Sequence, residues 1–489
     1  MQLSKIVESV RGERLSDGDE ELEIQSLCID SRKITKDSIF ICLKGGTTDS
    51  HLYAAEAVKN GAVAVLCERR LALSVPQILV EDTREALSFL AAAFYDEPAK
   101  KLKIIGVTGT NGKTTVSYML ASILEEAGKK VGVIGTLGVR YGRTEISANL
   151  TTPDPIDLHK IFSDMLLCGV EYVVMEVSAH ALYYKKVAGI VFSACIFTNF
   201  TQDHLDFFEN MDAYKHAKAK LFLNSNCEIA VLNGDDRTGR EFAQQRDVGA
   251  KTVFYGLNTP SDAFAVITDE NLRGSSFMLN LSDQLCRVKL AFTGRYNIYN
   301  ALAAAACARE LGIDVLDIAK GLESIKGVSG RLQSVGRYQG GEIYVDFAHT
   351  ADGLSQSLSA LRPYCQGRLI CLFGCGGNRD KTKRSIMGEA VAKNSDFCIL
   401  TSDNPRFEDP LDIISEIERG YRRFSVRYVI VPDRKRAIDY ALDFLKRGDI
   451  LLVAGKGGEE YQEIMGIKYP FKDQDIIENL IKKKGESDF

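Results

Sequence analysis

The chain has 489 residues, 45% of them hydrophobic and 26% charged, with a formal net charge of -5. That length is too great for one ordinary core and, at about 150 residues per domain, points to three domains. The modest negative charge argues against a general nucleic-acid binder. No signal-peptide pattern opens the chain and no apolar run of about 18 residues offers a membrane span. The twelve cysteines are scattered without a C-x-x-C pair, so the expectation is a cytoplasmic protein with reduced thiols.

In chain order, the first segment has short apolar strands at Ser38 to Leu43 and Ala62 to Cys67, with a small helix at Tyr53 to Asn60 between them. A charged, proline-bearing stretch from Asp96 to Lys101 reads as a linker, which gives a first domain over 1–98. Apolar strands then alternate with helices: Lys103 to Val107, Val131 to Gly135, Tyr172 to Glu176, Ala194 to Thr198 and Ile229 to Leu232. Strands apolar on both faces imply a mostly parallel sheet wrapped by helices, over a central domain 99–329. The last domain, 330–489, repeats the pattern with strands at Ile343 to Asp346, Leu369 to Phe373, Phe397 to Thr401, Tyr428 to Val431 and Ile450 to Val453. The fold class is therefore α/β in three domains: a small mixed first domain, a central ATPase-like domain and a Rossmann-like, doubly wound last domain. Loops 348–353, 374–381, 402–409 and 455–460 follow four of the last strands and, in a parallel sheet, share one ligand-binding rim.

Chemistry concentrates first at G-V-T-G-T-N-G-K-T-T, residues 106 to 115, which follow a strand and open a helix. Gly109, Thr110, Asn111 and Gly112 can turn backbone N–H groups around phosphate oxygens. Lys113 adds a charge, Thr114 can ligate Mg²⁺, and Thr115 continues into the helix. The chain is thus expected to handle ATP. The common phosphate loop has glycine five positions before Gly112, where this chain has Val107. Glu176 ends a central strand, where Mg²⁺ is usually held in such domains. His204, beside Asp203 and Asp206, follows another strand end and is a second candidate metal ligand.

The variant loop G-T-N-G-K-T resembles that of the Mur ligase family, and further motifs occur in that family's order. M-E-V-S-A-H-A-L, with Ser178, is similar to the family's M-E-V-S-S-H; Y-K-H-A-K ends on Lys218; N-I-Y-N spans Asn297 to Asn300; V-S-G-R ends on Arg331; and D-F-A-H-T-A-D starts at Asp346. The resemblance implies an ATP-dependent ligase whose Lys218 is carbamylated by CO₂ and helps bind Mg²⁺ with Thr114, Glu176 and His204. Lys113, Glu176, His204 and Lys218 then form the catalytic set. Asn297, Asn300, Arg331 and Asp346 join the loop around ATP. Carbamylation needs a neutral amine, so the site must lower the pKa of Lys218 by burial or a nearby cation.

The resemblance also places a UDP-muramoyl dipeptide against Ile29, Ser31, Gly46, Thr47, Thr48, Thr151, Thr152 and Ser178, with Tyr184 and Lys186 near its D-glutamyl end. Lys186 stands where the branch usually has Arg, and Tyr184 where Gln is common. Within the family, D-N-P-R, here Asp403, Asn404, Pro405 and Arg406, marks ligases that add meso-diaminopimelate to UDP-N-acetylmuramoyl-L-alanyl-D-glutamate. A guanidinium grips the second carboxylate of diaminopimelate with two parallel hydrogen bonds, whereas lysine would bring an ammonium there. Arg379, Gly455 and Glu459 complete the implied amino-acid site, although Gly458 replaces the family's histidine in G-K-G-H-E. The alternatives are lysine addition, a folylpolyglutamate-type ligase and a non-catalytic nucleotide-binding homologue. A monomer is expected.

Overall fold

Successive residues of the strand Leu369–Phe373 face two different cores. Leu369, Cys371 and Phe373 pack with helices Ala351–Leu361, Thr382–Asn394 and Pro410–Tyr421. Ile370 and Leu372 pack with helices Arg434–Phe444 and Asp473–Glu486 on the other face. This is the period-two consequence of a strand buried on both sides, and each fully buried aliphatic side chain contributes about 1.5–3 kcal/mol. The sheet order is Gln333–Tyr338, Gly341–Asp346, Ile450–Ala454, Leu369–Phe373, Phe397–Leu400 and Arg427–Ile430. The last five run parallel and Gln333–Tyr338 is an antiparallel edge. A separate antiparallel hairpin, Tyr461–Ile464 with Ile467–Pro470, was not foreseen.

The computed structural model describes residues 1–14, 21–45, 48–147, 150–223, 225–246 and 251–486. Its backbone forms two compact units, one of 1–106, 129–195 and 220–228, the other of 107–128, 196–219 and 229–489. The first unit holds a five-stranded sheet ordered Glu13–Arg14, Gln77–Leu79, Ala62–Cys67, Ser38–Ile41 and Ser26–Cys28, parallel except for its first strand. It also holds the strand Tyr172–Glu176 paired in parallel with Val131–Gly135, which continues antiparallel into Gly138–Tyr141 and Thr144–Ile146. The expected linker is in fact ordered as a 3-10 helix, Pro98–Lys101, with proline in its first turn, where it costs no hydrogen bond.

The strands Cys227–Asn233, Lys251–Gly256 and Ala263–Asn271 pair in parallel, then Gly274–Leu281 and Gln284–Leu290 add two antiparallel strands. These last strands alternate buried residues with half-buried or exposed ones, a pattern without the wholly apolar runs that mark the other strands.

Candidate nucleotide and amino-acid sites

The phosphate loop lies between the buried strand Lys103–Thr108 and helix Lys113–Glu126. Gly109 has φ +148°, and a Cβ there would lie 1.8 Å from Thr198 Oγ1, so no other residue fits. That hydroxyl donates to Asn111 O at 2.6 Å, while Asn111 N donates to Asn199 Oδ1 at 2.9 Å. Thr110 N donates to Asn199 O at 2.9 Å and Thr110 Oγ1 to Thr201 O at 3.1 Å. The loop is held in shape from outside, by residues 198–201. Lys113 Nζ curls back to donate to the carbonyls of Gly109, at 3.0 Å, and Thr110, at 2.8 Å.

Lys218, from helix Met211–Ala219, is 1% exposed, and its Nζ donates to Gly109 O at 2.8 Å. Burial, reinforced by the charge of Lys113, lowers its pKa well below that of an ordinary lysine. A buried, neutral amine is the species that reacts with CO₂, so the side chain fits the carbamylation implied for it.

Asp203, 3% exposed, accepts from Lys383 Nζ at 3.2 Å and is paired with His204 Nε2 at 3.4 Å and His349 Nε2 at 3.6 Å. Burial works to raise its pKa, but the hydrogen bond from His349 and the charges of Lys383 and the two histidines outweigh it and hold the carboxyl well below the usual range. His204 itself has φ +57°, a left-handed conformation rare outside glycine. Lys383 was missed because nothing near it in sequence marks a partner, and D-F-A-H-T-A-D contains His349 without indicating that it meets Asp203.

Residues of the last segment reach the loop. Arg331 Nη2 donates to Thr114 Oγ1 at 2.7 Å and its guanidinium lies 4.2 Å from the Phe347 ring centre, so the expected Mg²⁺-ligating hydroxyl here serves an arginine. Asn111 Nδ2 donates to Asp352 Oδ2 at 3.1 Å. Asp346 accepts from Leu332 N at 2.5 Å, Ala348 N at 3.0 Å and Ser357 Oγ at 2.9 Å, and burial raises its pKa. Asn300 Nδ2 donates to Asn297 Oδ1 at 3.0 Å and Asn297 Nδ2 to Thr293 O at 2.9 Å, with Asn300 against Gly112 of the loop. Thr114 and Thr115 are buried. Among the described residues, no three His, Cys, Asp or Glu side chains are gathered as around a metal ion.

Around D-N-P-R, Asp403, Asn404 and Pro405 are buried and Arg406 is half-buried. Asn404 Nδ2 donates to Glu459 Oε2 at 2.9 Å, and the fully buried Lys456 donates to Asn404 Oδ1 at 3.0 Å and Glu459 Oε2 at 2.9 Å. Gly377 N donates to Asn404 O at 2.8 Å, so loops 374–381, 402–409 and 455–460 do meet on one rim. Gly455 lies against the carboxylate of Asp403, 2.5 Å from where a Cβ would be. A Cβ on Gly376 would lie 2.9 Å from Arg406 Nη1 and 3.7 Å from Arg379 Cγ, so both arginines converge on that glycine. Arg379 is exposed.

In the first unit, Glu176 is 1% exposed and accepts from Thr136 N at 2.8 Å through Oε1 and from Thr136 Oγ1 at 3.1 Å through Oε2. Thr152 Oγ1 donates to Glu176 O at 2.9 Å and accepts from Ser178 N at 3.1 Å, while the hydroxyls of Thr151 and Thr136 lie 3.2 Å apart. Glu176, Thr151, Thr152 and Ser178 are therefore one cluster. Lys186 Nζ pairs with Asp154 Oδ1 at 2.8 Å, and Tyr184 lies under the Arg84 guanidinium at 4.2 Å. Ser31 is buried and its carbonyl accepts from Asn60 Nδ2 at 3.2 Å; Ile29 packs at the edge of the core that includes Ile39 and Leu66. Thr48 is exposed and its O accepts from Gly45 N at 2.7 Å, and Gly46 and Thr47 lie outside the described residues.

Residues 23–95 match the Mur ligase family catalytic domain, 107–308 the Mur ligase middle domain and 330–457 the Mur ligase glutamate ligase domain. A relative from Syntrophomonas wolfei, named UDP-N-acetylmuramoyl-L-alanyl-D-glutamate--2,6-diaminopimelate ligase, is 42% identical over 493 residues, covering 99% of this chain and all (100%) of its own. One from Clostridium acetobutylicum, with the same name and the suffix 1, is 42% identical over 488 residues, 99% of this chain and 100% of its own. A solved structure of a UDP-N-acetylmuramoyl-L-alanyl-D-glutamate--2,6-diaminopimelate ligase aligns with TM-score 0.70 at 30% identity, over 99% of this chain and 100% of that one. MurF from Acinetobacter baumannii shares the fold, with TM-score 0.66 at 21% identity over 98% of each chain. On these matches along its whole length, the chain belongs to the Mur ligase family.

Proposed function

We propose that this chain is an ATP-dependent amide ligase that joins meso-diaminopimelate to the D-glutamyl γ-carboxylate of UDP-N-acetylmuramoyl-L-alanyl-D-glutamate, in peptidoglycan precursor synthesis. The observation that carries it is the meeting of Asn404, Arg406 and Glu459 on one rim, in a chain 42% identical to ligases of that name. The paired charges Arg379 and Arg406 suit a carboxylate, and Glu459 suits the ammonium on the same far carbon.

In this reading the γ-carboxylate attacks the ATP γ-phosphorus, ADP leaves, and the amine displaces phosphate from the resulting acyl phosphate. The N–H groups of 109–112 and Lys113 spread the phosphate charge, and residues 151–152 and 178 seat the muramoyl peptide. Mg²⁺, when bound, would neutralise phosphate charge. Thr114, Glu176, His204 and carbamylated Lys218 are its proposed holders. Arg331, Asp346 and the 297/300 amides line the nucleotide side. The segments 1–98, 99–329 and 330–489 would take the uridine nucleotide, ATP and the amino acid in turn.

We place the enzyme in the cytoplasm as a monomer; among the described residues no helix is long and apolar enough to cross a membrane. The test is phosphate release from ATP with the UDP-muramoyl dipeptide, comparing meso-diaminopimelate with L-lysine. A clear preference for diaminopimelate, lost in Arg406→Ala, is expected; equal use of both amines overturns the assignment.

A further inference from the structure

Arg406 cannot aim itself. Its side chain is long and flexible, its backbone sits at φ +52°, and its loop ends a few residues later at helix Pro410–Tyr421. The structure supplies an external clamp, the hairpin Tyr461–Pro470. Arg406 N donates to Glu463 O at 3.1 Å, and Met465 N donates to Arg406 O at 2.7 Å, so the arginine bridges to the hairpin as a one-residue strand. Two neighbours are tied down as well: Glu463 N donates to Asn404 Oδ1 at 2.9 Å and Gln462 Nε2 to Asp403 O at 2.6 Å.

The side chains complete the clamp. Arg406 Nε donates to Glu463 Oε2 at 3.1 Å and Nη1 donates to Gly377 O at 2.8 Å. Both members of this ion pair are about four-fifths shielded from water, with side-chain exposures of 19% and 22%. Holding Nε from one side and Nη1 from the other fixes the plane of the guanidinium. The Nη2 end remains uncommitted to these bonds, and Nη1 lies over Gly376, where Arg379 also arrives. A flat fork held at two points keeps its plane when a carboxylate approaches, so the cost of ordering it is met before binding.

Resting on the diaminopimelate reading above, we infer that Glu463 is a positioning residue for amine selection: it orients Arg406 toward the far carboxylate of diaminopimelate without touching the amine itself. Removing the carboxylate frees a rotamer-rich guanidinium. Losing one charge-assisted hydrogen bond of this kind corresponds to a roughly ten- to hundredfold effect. That effect falls on the amine, because the bonds of the clamp run to Asp403, Asn404, Arg406 and Gly377 on the amino-acid rim.

The experiment measures kcat and KM for each of the three substrates in wild type, Glu463→Ala, Glu463→Gln, Arg406→Ala and the Glu463→Ala/Arg406→Ala double variant, with melting temperatures for each. Glu463→Ala should raise KM for diaminopimelate roughly ten- to hundredfold, leave KM for ATP and the UDP-muramoyl dipeptide within a factor of about two, and narrow the preference over L-lysine. Glu463→Gln, whose amide oxygen still accepts from Nε, should recover most of the loss. In the Arg406→Ala background the Glu463→Ala change should add almost nothing. Additive effects, or equal KM shifts for all three substrates, overturn the inference, as does an unchanged KM for diaminopimelate. Should Glu463→Ala fail to fold, Glu463→Ser, too short to reach Nε, and the Arg406→Ala/Glu463→Ser pair carry the same comparison. A wild type that prefers another amine would sink the diaminopimelate reading itself. The coupling between 463 and 406, measured with that amine, still decides the role of Glu463.

Discussion

Lys218 Nζ donates to Gly109 O at 2.8 Å across 109 positions of sequence. The contact brings a buried amine to the first glycine of the phosphate loop, where Lys113 supplies a second positive charge. Burial and the neighbouring charge both disfavour the ammonium form of Lys218, and the neutral form has the lone pair that CO₂ needs.

Incubation with ¹³C-labelled bicarbonate should therefore give a carbamate carbon signal in the wild-type protein that is missing from Lys218→Ala. The lowered pKa keeps the amine reactive at neutral pH, so the signal should not require alkaline conditions. Ligase turnover in Lys218→Ala should fall by roughly a hundredfold or more, the scale of losing one preorganised electrostatic group. A signal of equal strength in the variant would remove Lys218 from the site.

Gly109→Ala should damage the nucleotide site and little else. The new methyl would sit on Thr198 Oγ1, which also holds Asn111 O, so the loop must move to relieve the clash. Overpacking of this kind costs about 1–3 kcal/mol. Calorimetric titration should show ATP affinity lowered at least tenfold, with the unfolding midpoint in urea only slightly reduced. Unchanged affinity would mean that the loop does not hold phosphate.

The buried pair Arg434 and Asp473 should be a stability anchor for the amino-acid site. Both side chains are 0% exposed, with Nε and Nη2 of Arg434 at 2.9 and 2.7 Å from the carboxylate, and Nη2 also donates to Ala454 O, next to Gly455. Asp473→Asn leaves a buried cation uncompensated and should cost about 3–5 kcal/mol in urea unfolding. An Arg434→Leu/Asp473→Leu double variant should recover part of that loss; if it does not, the pair is more than an ion pair closing the helix Asp473–Glu486 onto the sheet.

His159 predicts an acid-sensitive core. The residue is 1% exposed, neither ring nitrogen has a hydrogen-bond partner among the described residues, and burial lowers its pKa to about 4. The unfolded chain then binds the proton more readily than the folded one. Stability is unaffected by this group above its unfolded pKa of about 6.5, and declines as pH falls from there toward 4. The slope should approach about 1.4 kcal/mol per pH unit for a single group. Thermal melts of His159→Leu between pH 7 and pH 5 should show a shallower decline than wild type; parallel curves would exclude His159 as the cause.

Patterns carried by neighbouring residues are legible in the sequence. The loop at 109–115 shows itself because glycine spacing, strand and helix are all local, and the strands at 131–135, 172–176 and 369–373 match their expected bounds because runs apolar on both faces have no other home in a folded chain. The strands between 263 and 290 were not seen, since half-exposed antiparallel strands dilute the apolar signal, nor was the hairpin at 461–470, whose second strand is exposed throughout. The site divides in the same way. D-N-P-R names its residues, but Glu463, which holds Arg406, has no local signature, and the G-K-G-G-E run that contains Lys456 does not reveal that this lysine holds Asn404.

The sequence by itself determined the α/β class, the nucleotide loop and the residue types that meet phosphate and a second carboxylate, because those follow from short-range periodicity and side-chain chemistry. Only the tertiary structure decided their condition. It lowered the pKa of Lys218 by burying it beside Lys113, kept Asp203 ionised with Lys383 from 180 positions away, and turned Arg406 from a flexible cation into a fixed fork. Burial, pKa and side-chain orientation are sums over neighbours in space, and those neighbours are assigned by the fold rather than by position along the chain.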